Sequence, residues 1–272
     1  MNHGQGRDVS TRRRVTLSAG STQRGDEWHV ATEVAVEIDV NGVPMTVMMA
    51  TPDALEDLAV GLAFTEGVVI DPDGIQQSTV AEFVDGVVVN LEVAEAAVNE
   101  QARRSRLLEG RAGCGLCGVE TLAAAMRRPV IQHVGGQVPP VSDAALSRAF
   151  EQLPDRQPLN LLTHSVHAAA WCTLAGDIVA VREDVGRHNA LDKLAGWLLR
   201  SMTADTSESV RSGFVIVSSR LSFELVCKAA AMGAAMLGSV SAPTTLALEL
   251  AATAELPLAC LGPGGAIVRF QG

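Results

Sequence analysis

The stretch Ile178-Val179-Ala180-Val181-Arg182-Glu183-Asp184-Val185-Gly186-Arg187-His188-Asn189 decides how the second half of this 272-residue chain folds. Its four leading apolar residues read as a short strand over 178–181, and the polar run after them reads as a loop. Leu191, Leu194, Ala195 and Leu198 then recur at helical spacing, which places Asn189 as the N-cap and Asp192 in the first turn. The plan repeats twice. Residues 214–217 read as strand, Ser218-Ser219-Arg220 as loop and 222–236 as helix; residues 239–240, Ser241-Ala242-Pro243 and 244–254 follow the same order. A last strand, 258–261, runs into Gly262-Pro263-Gly264-Gly265. Strand and helix alternating in this way predict an α/β fold with a mostly parallel sheet and right-handed crossovers. Ligands bind such sheets beyond the carboxyl ends of the strands, so the four polar loops are expected along one edge.

Those loops offer Asp184, Arg187, His188, Asn189, Ser219 and Arg220, together with the N–H groups of helix starts and of the glycine turn. This is a set suited to an anionic, heteroatom-rich ligand. The glycine turn has a plainer reading as a simple hairpin, and it matches neither the P-loop nor the dinucleotide fingerprint.

Upstream, Val34, Val36, Ile38 and Val40 alternate with charged residues, reach Asn41-Gly42 and continue into a second strand, the pattern of a hairpin. Thr51-Pro52-Asp53 is expected to start a helix, with Pro52 near its first turn, carrying Leu55, Leu58, Ala59 and Leu62 and stopped by Gly67. Residues 79–92 are again β-rich. A helix over 143–152 with Ser142 as N-cap follows the Pro139-Pro140 connector. The expected organisation is a disordered basic tail over 1–26, a smaller α+β lobe over 27–112, a loop over 113–118 and an α/β domain over 119–272.

Composition narrows the function. The chain is 47% hydrophobic, 19% charged and lacks tyrosine, as suits a compact aliphatic core. A net charge of −10 argues against non-specific binding to nucleic acid. No uncharged apolar run approaches the ~18 residues of a membrane span, and the arginine-rich start has no apolar segment of an export signal. A cytoplasmic protein is expected. Five cysteines without small-scaffold spacing fit a reducing compartment.

The reactive chemistry lies in Gly113-Cys114-Gly115-Leu116-Cys117-Gly118. Two thiols at this spacing serve sulfur exchange or clip a metal. Arg103, Arg104, Arg106 and Arg111 before the pair and Arg127 and Arg128 after it would favour thiolate. A structural zinc site needs a second Cys or His pair, whereas Cys172, Cys227 and Cys260 are scattered among apolar neighbours. A dithiol oxidoreductase and a zinc-clipped binding module stay open beside sulfur transfer.

Two blocks together, residues 183–193 and the glycine-framed Cys114/Cys117 pair, resemble the formate dehydrogenase accessory sulfurtransferase family, FdhD. The likeness extends to residues 34–70, to His167-Ala168-Ala169-Ala170, to residues 219–224 and to residues 241–244. It implies a cytidine-deaminase-like three-layer C-terminal domain and a homodimer. It also implies a sulfur carrier that receives persulfide sulfur from a cysteine desulfurase and passes it to molybdenum in bis-molybdopterin guanine dinucleotide for formate dehydrogenase. In this resemblance Cys114 matches the persulfide cysteine and Cys117 is its partner. Cys260, Leu261, Gly262, Pro263, Gly264 and Gly265 match the cofactor-binding turn, for which a guanine nucleotide would be a mimic. Family members usually carry arginines where this chain has Gly262 and Gly265, and a glycine where it has His164. Deamination itself is disfavoured, because none of the six histidines begins a His-x-Glu and Gly113 stands in place of the motif's proline.

Overall fold

A computed structural model describes residues 7–19, 22–103, 140–201 and 212–270. The Cys114/Cys117 pair, Arg104, Arg106 and Arg111 before it and both arginines after it lie outside the described residues.

The chain enters as an antiparallel ribbon of β1 (Ser10–Ala19) and β2 (Thr22–Ala31). This corrects the expected disordered tail. The arginines hide the pattern in sequence, but in the ribbon Arg12 stands opposite His29 and reaches Glu27 at 3.7 Å. Trp28 lies against the ring of His164 with centroids 5.5 Å apart.

The next unit follows expectation. β3 (Val34–Val40) and β4 (Val43–Ala50) are joined by Asn41-Gly42, both at positive φ (54° and 72°), as a tight hairpin turn requires. α1 (Leu55–Thr65) ends at Gly67, whose φ of 69° breaks the helix. β5 (Ile75–Phe83) and β6 (Gly86–Val93) complete a four-stranded sheet of order β4-β3-β6-β5. Its inner face, with Val36, Ile38, Val40 and Leu91 fully buried, packs on Leu58 and Leu62 of α1.

The second unit opens with α2 (Asp143–Gln152), where Ser142 Oγ accepts from the Ala145 N–H at 3.1 Å, and with α3 (Pro158–Thr163). There follow β7 (His167–Thr173), β8 (Ile178–Asp184), α4 (Arg187–Ser201), β9 (Gly213–Val217), α5 (Phe223–Ala231), β10 (Leu237–Ser239), α6 (Thr245–Thr253), β11 (Leu258–Leu261) and β12 (Ile267–Phe270). The sheet order is β12-β11-β10-β9-β7-β8. Helices cover both faces. Leu191 and Leu194 of α4, Leu225 and Val226 of α5 and Ala247 of α6 share one core with Ala169 and Trp171. Leu146 and Phe150 of α2 share the other with Ala168, Ala170 and Cys172. Alternate residues of β7 thus feed opposite cores, as period-two geometry demands.

The fold is mixed α/β, but the sheet is not mostly parallel. Only β9–β10 and β10–β11 pair parallel; β7–β8, β7–β9 and β11–β12 are antiparallel. Two strands account for the difference. β7 carries an alanine run with no strong β signal and inserts between β8 and β9, and the glycine turn sends β12 straight back along β11. Because β7 alone of the inner strands is reversed, β8, β9, β10 and β11 still end at one edge, as expected.

The two units meet where α1 crosses α4. A Cβ built on Gly61 would overlap the Asp192 carbonyl oxygen, and one built on Gly196 would overlap the Asp57 carbonyl. The helix backbones touch, and only glycine fits at either position. Gly196→Ala is a sharp test, because helix propensity alone would stabilise by about 1 kcal/mol. Overlap with backbone should reverse that sign and destabilise by about 1–3 kcal/mol in chemical denaturation.

Candidate functional site

The carboxyl edge of the larger sheet is reached first through β8. Its last residue, Asp184, is fully buried and fully occupied. Oδ2 lies 2.7 Å from Lys193 Nζ and accepts from the Thr51 N–H at 3.0 Å. Oδ1 accepts from the Gly186 N–H at 2.8 Å and from Asn189 Nδ2 at 2.9 Å. Lys193 Nζ also donates to the Thr51 carbonyl at 2.9 Å, and Asn189 Nδ2 to the Met49 carbonyl at 2.8 Å. Asp184 and Asn189, expected to face a ligand, instead lock the start of α4 to the chain leaving β4. Asn189 is not the N-cap either. The Asp184–Gly186 contact turns the chain early, so the helix begins at Arg187 and Asn189 is its third residue.

Two more charge clusters flank this lock. Lys228 of α5 reaches Asp192 Oδ1 at 2.8 Å, Glu66 at 3.0 Å and Thr65 Oγ1 at 3.0 Å, while Thr65 also donates to Asp192 at 2.7 Å. Burial holds the Asp192 carboxyl above its ordinary range, although Lys228 pulls the other way. Asp192, placed by sequence in the first turn, sits deeper in α4. On the far side Asp57 accepts from Arg182 at 2.7 Å and from Arg200 at 2.7 Å. Sequence reading gave none of Lys193, Lys228 or Thr51 a role in the site; a lysine on an otherwise apolar helix face was the one available signal.

What remains open at the edge is basic and polar. Arg187 is half-buried and Arg220 exposed, and neither makes an ion pair or hydrogen bond among the described residues. Ser218 Oγ accepts from the Ala168 N–H at 2.8 Å and so ties β9 to β7. Ser219 is buried, its hydroxyl donating to the Arg220 carbonyl at 3.2 Å. His188 is buried too, and burial with the nearby Lys228 and Arg187 charges pushes its imidazole down to about 3. His167 beside it is lowered in the same direction, mainly by burial and then by Arg187.

The glycine turn is a hairpin. Gly262 N–H donates to the Ala266 carbonyl at 2.7 Å and Gly265 N–H to the Gly262 carbonyl at 3.2 Å. Pro263 has no N–H, so of the four described turn residues Gly264 alone keeps an uncommitted donor. Gly264 and Gly265 hold φ of 67° and 80°, the reason for glycine there. The turn's phosphate-binding capacity, as read from sequence, is largely consumed by its own geometry. Cys260 and Leu261 before it belong to β11, Cys260 being buried and Leu261 half-buried. The thiol of Cys227 is pushed up to about 12 by burial, and burial raises Cys172 and Cys260 as well. Raised in this way, these thiols are poor nucleophiles near neutral pH. His164 is explained too: it caps α3 at φ 53°, where glycine is the easy choice, and here its ring meets Trp28.

Fold and edge together define a two-unit mixed α/β protein whose sheet edge presents unpaired cationic and polar groups. The chain belongs to the FdhD/NarQ family, which it matches over residues 31–270. It is similar to the sulfur carrier protein FdhD of Cupriavidus necator, at 45% identity over 246 residues, covering 89% of this chain and 81% of that one. A second relative, the sulfur carrier protein FdhD of Xanthomonas euvesicatoria, is 43% identical across 84% of this chain and 79% of its own. In fold the chain is similar to the crystal structure of a putative formate dehydrogenase accessory protein from Desulfotalea psychrophila. The TM-score is 0.71 at 20% identity, covering 97% of this chain and 98% of that one.

Two measurements probe the site's framework. Lys193→Met strands the buried Asp184 carboxylate and should cost about 3–5 kcal/mol in denaturant unfolding, whereas the exposed Arg148→Met should cost under about 1 kcal/mol. For His188 the folded pKa lies below its unfolded value, so the unfolded state binds the extra proton and stability falls as pH drops below 6.5 towards 3. His188→Gln should therefore flatten the stability profile between about pH 6.5 and 5 relative to wild type, by up to about 1.4 kcal/mol per pH unit. An unchanged slope would mean that His188 titrates normally.

Proposed function

We propose that this protein is a sulfur carrier for formate dehydrogenase. The observation that carries the reading is the 45% identity, across most of both chains, to a protein named as a sulfur carrier, in a chain that carries the glycine-framed Cys114-Gly115-Leu116-Cys117 pair. Cys114 thiolate attacks the sulfane sulfur of a cysteine desulfurase persulfide. A new S–S bond forms on Cys114, the desulfurase S–S bond breaks, and the desulfurase leaves as thiolate; no net oxidant is needed. Arg104, Arg106 and Arg111, near the pair in sequence, would favour thiolate if close in space, while Arg103 is already engaged with Glu100 at 2.8 Å.

The acceptor is the molybdenum atom of bis-molybdopterin guanine dinucleotide, a substrate here rather than a resident group. The extended cofactor lies along the carboxyl edge of a deaminase-like three-layer domain, and the protein works as a cytoplasmic homodimer. Span supports an extended ligand. From the end of β8 to the glycine turn after β11 is four strand spacings, roughly 19 Å. Arg187 and Arg220 have no partner among the described residues, and arginines at such an edge suit phosphates.

Incubation with a cysteine desulfurase and cysteine, followed by intact and peptide mass spectrometry, tests the reading. One added sulfur on Cys114 is expected, abolished in Cys114→Ala. Equal labelling in the Cys114→Ala, Cys117→Ala double variant would overturn it.

A further inference from the structure

The β1–β2 ribbon pairs with no other strand among the described residues, and its extended contact with the body is with α3. Register sets Arg13 across from Trp28 and Thr11 across from Val30, so these four share one face, while Arg12 and Arg14 point to the other. Trp28 and Val30 stay exposed, as do Leu161 and Leu162 of α3 beside them. Arg12, Arg13 and Arg14 are exposed too. The ribbon is also the basic part of an acidic chain. Residues 7–31 hold five arginines against three carboxylates, whereas the whole chain carries a net charge of −10. Tryptophan and leucines left open beside arginines have the make-up of an interface core and its rim.

The outer face of the four-stranded sheet offers the opposite charge on similar apolar ground. With Val36, Ile38 and Val40 turned to the core, Glu37 and Asp39 of β3 point outward. Register sets Val47, Glu37, Val88 and Ala81 in one row across all four strands, and Met49 and Phe83 lie in the next outward row. Val47, Met49 and Phe83 are exposed. Glu37 and Asp39 crowd each other. Asp39 Oδ1 is buried without a hydrogen bond, and burial followed by the Glu37 charge holds its carboxyl above the ordinary range. A cation laid over this pair relieves the repulsion.

We propose that the ribbon of one protomer lies on the outer sheet face of a second copy of this chain, with Trp28 and Val30 against Val47, Met49 and Phe83 and the ribbon arginines over Glu37 and Asp39. The proposal rests on the homodimer reading and deepens it by naming the two surfaces that meet. Each protomer carries both, so a two-fold axis makes the contact twice. One ribbon face, ten residues long and two strands wide, covers roughly 33 by 10 Å. Two such contacts bury on the order of 1,300 Å² counted over both partners, within the range of stable interfaces.

Analytical ultracentrifugation of the full chain tests this with a charge exchange. Arg13→Glu with Arg14→Glu, and separately Glu37→Lys with Asp39→Lys, should each weaken the dimer about tenfold or more, since like charges then meet at both contacts. An equimolar mixture of the two variants should recover wild-type affinity as a heterodimer, because both contacts regain opposite charges. The wild-type dimer should also loosen as salt rises from about 50 to about 500 mM, a measurement that needs no variant. Wild-type self-association in either folded variant, a mixture of folded variants without heterodimer, or a wild-type dimer indifferent to salt would overturn the proposal and leave the homodimer reading standing. A wild type that stays monomeric at every concentration would remove both, with the sulfur labelling of Cys114 still deciding the carrier function.

Discussion

The contact between Gly61 and Gly196 is the constraint on which the rest of the structure depends. With no Cβ on either helix, α1 and α4 approach until backbone meets backbone, and that distance brings short side chains from each unit into hydrogen-bond range of the other. Thr65 reaches Asp192 only because the helices are this close, and the same holds for Asp57 with Arg182 and Arg200. A bulkier crossing would draw Thr65 and Glu66 away from Asp192 and Lys228. Buried charges are costly when a partner is lost, so the ion pairs that cross between the units, Asp57 with Arg182 and Arg200 and Glu66 with Lys228, depend on the glycines.

Seen from the edge, the same network divides the motif over residues 183–193 into two kinds of residue. Asp184, Asn189, Asp192 and Lys193 face inward and hold α4 against β4, α1 and α5. Arg187, half-buried, pairs with no described residue. A short, charge-dense stretch can therefore serve structure and ligand at once, since successive residues of a helix start point in different directions. Locking the inward set fixes the outward set, which is how a site gains precision without rigid ligand contacts of its own.

The ribbon at the start of the chain follows a different logic. Its residues bury little, and a lone two-stranded ribbon is marginal in water. Here Trp28 on His164 gives it a foothold on α3, at a position where the left-handed backbone would ordinarily select glycine. The side chain that glycine lacks supplies a tertiary contact.

Sequence by itself determined the local elements: the Asn41-Gly42 hairpin, α1 and its stop at Gly67, α2 behind Ser142, and the strands ending at Val217 and Leu261. Each is set by short-range chemistry, namely turn dihedrals, capping and apolar period. It also determined that the chain ends of β8 to β11 share one edge, and it singled out the Cys114/Cys117 pair. Only the tertiary structure decided the rest. The place of β7 depends on strand pairing between segments distant in sequence, which an alanine run does not announce. The inward role of Asp184 and Asn189 depends on Met49 and Thr51, more than 130 residues away. The spent donors of the glycine turn depend on β12 folding back along β11. Local patterns record what a residue prefers; which partner satisfies a buried charge is settled by what the fold brings beside it.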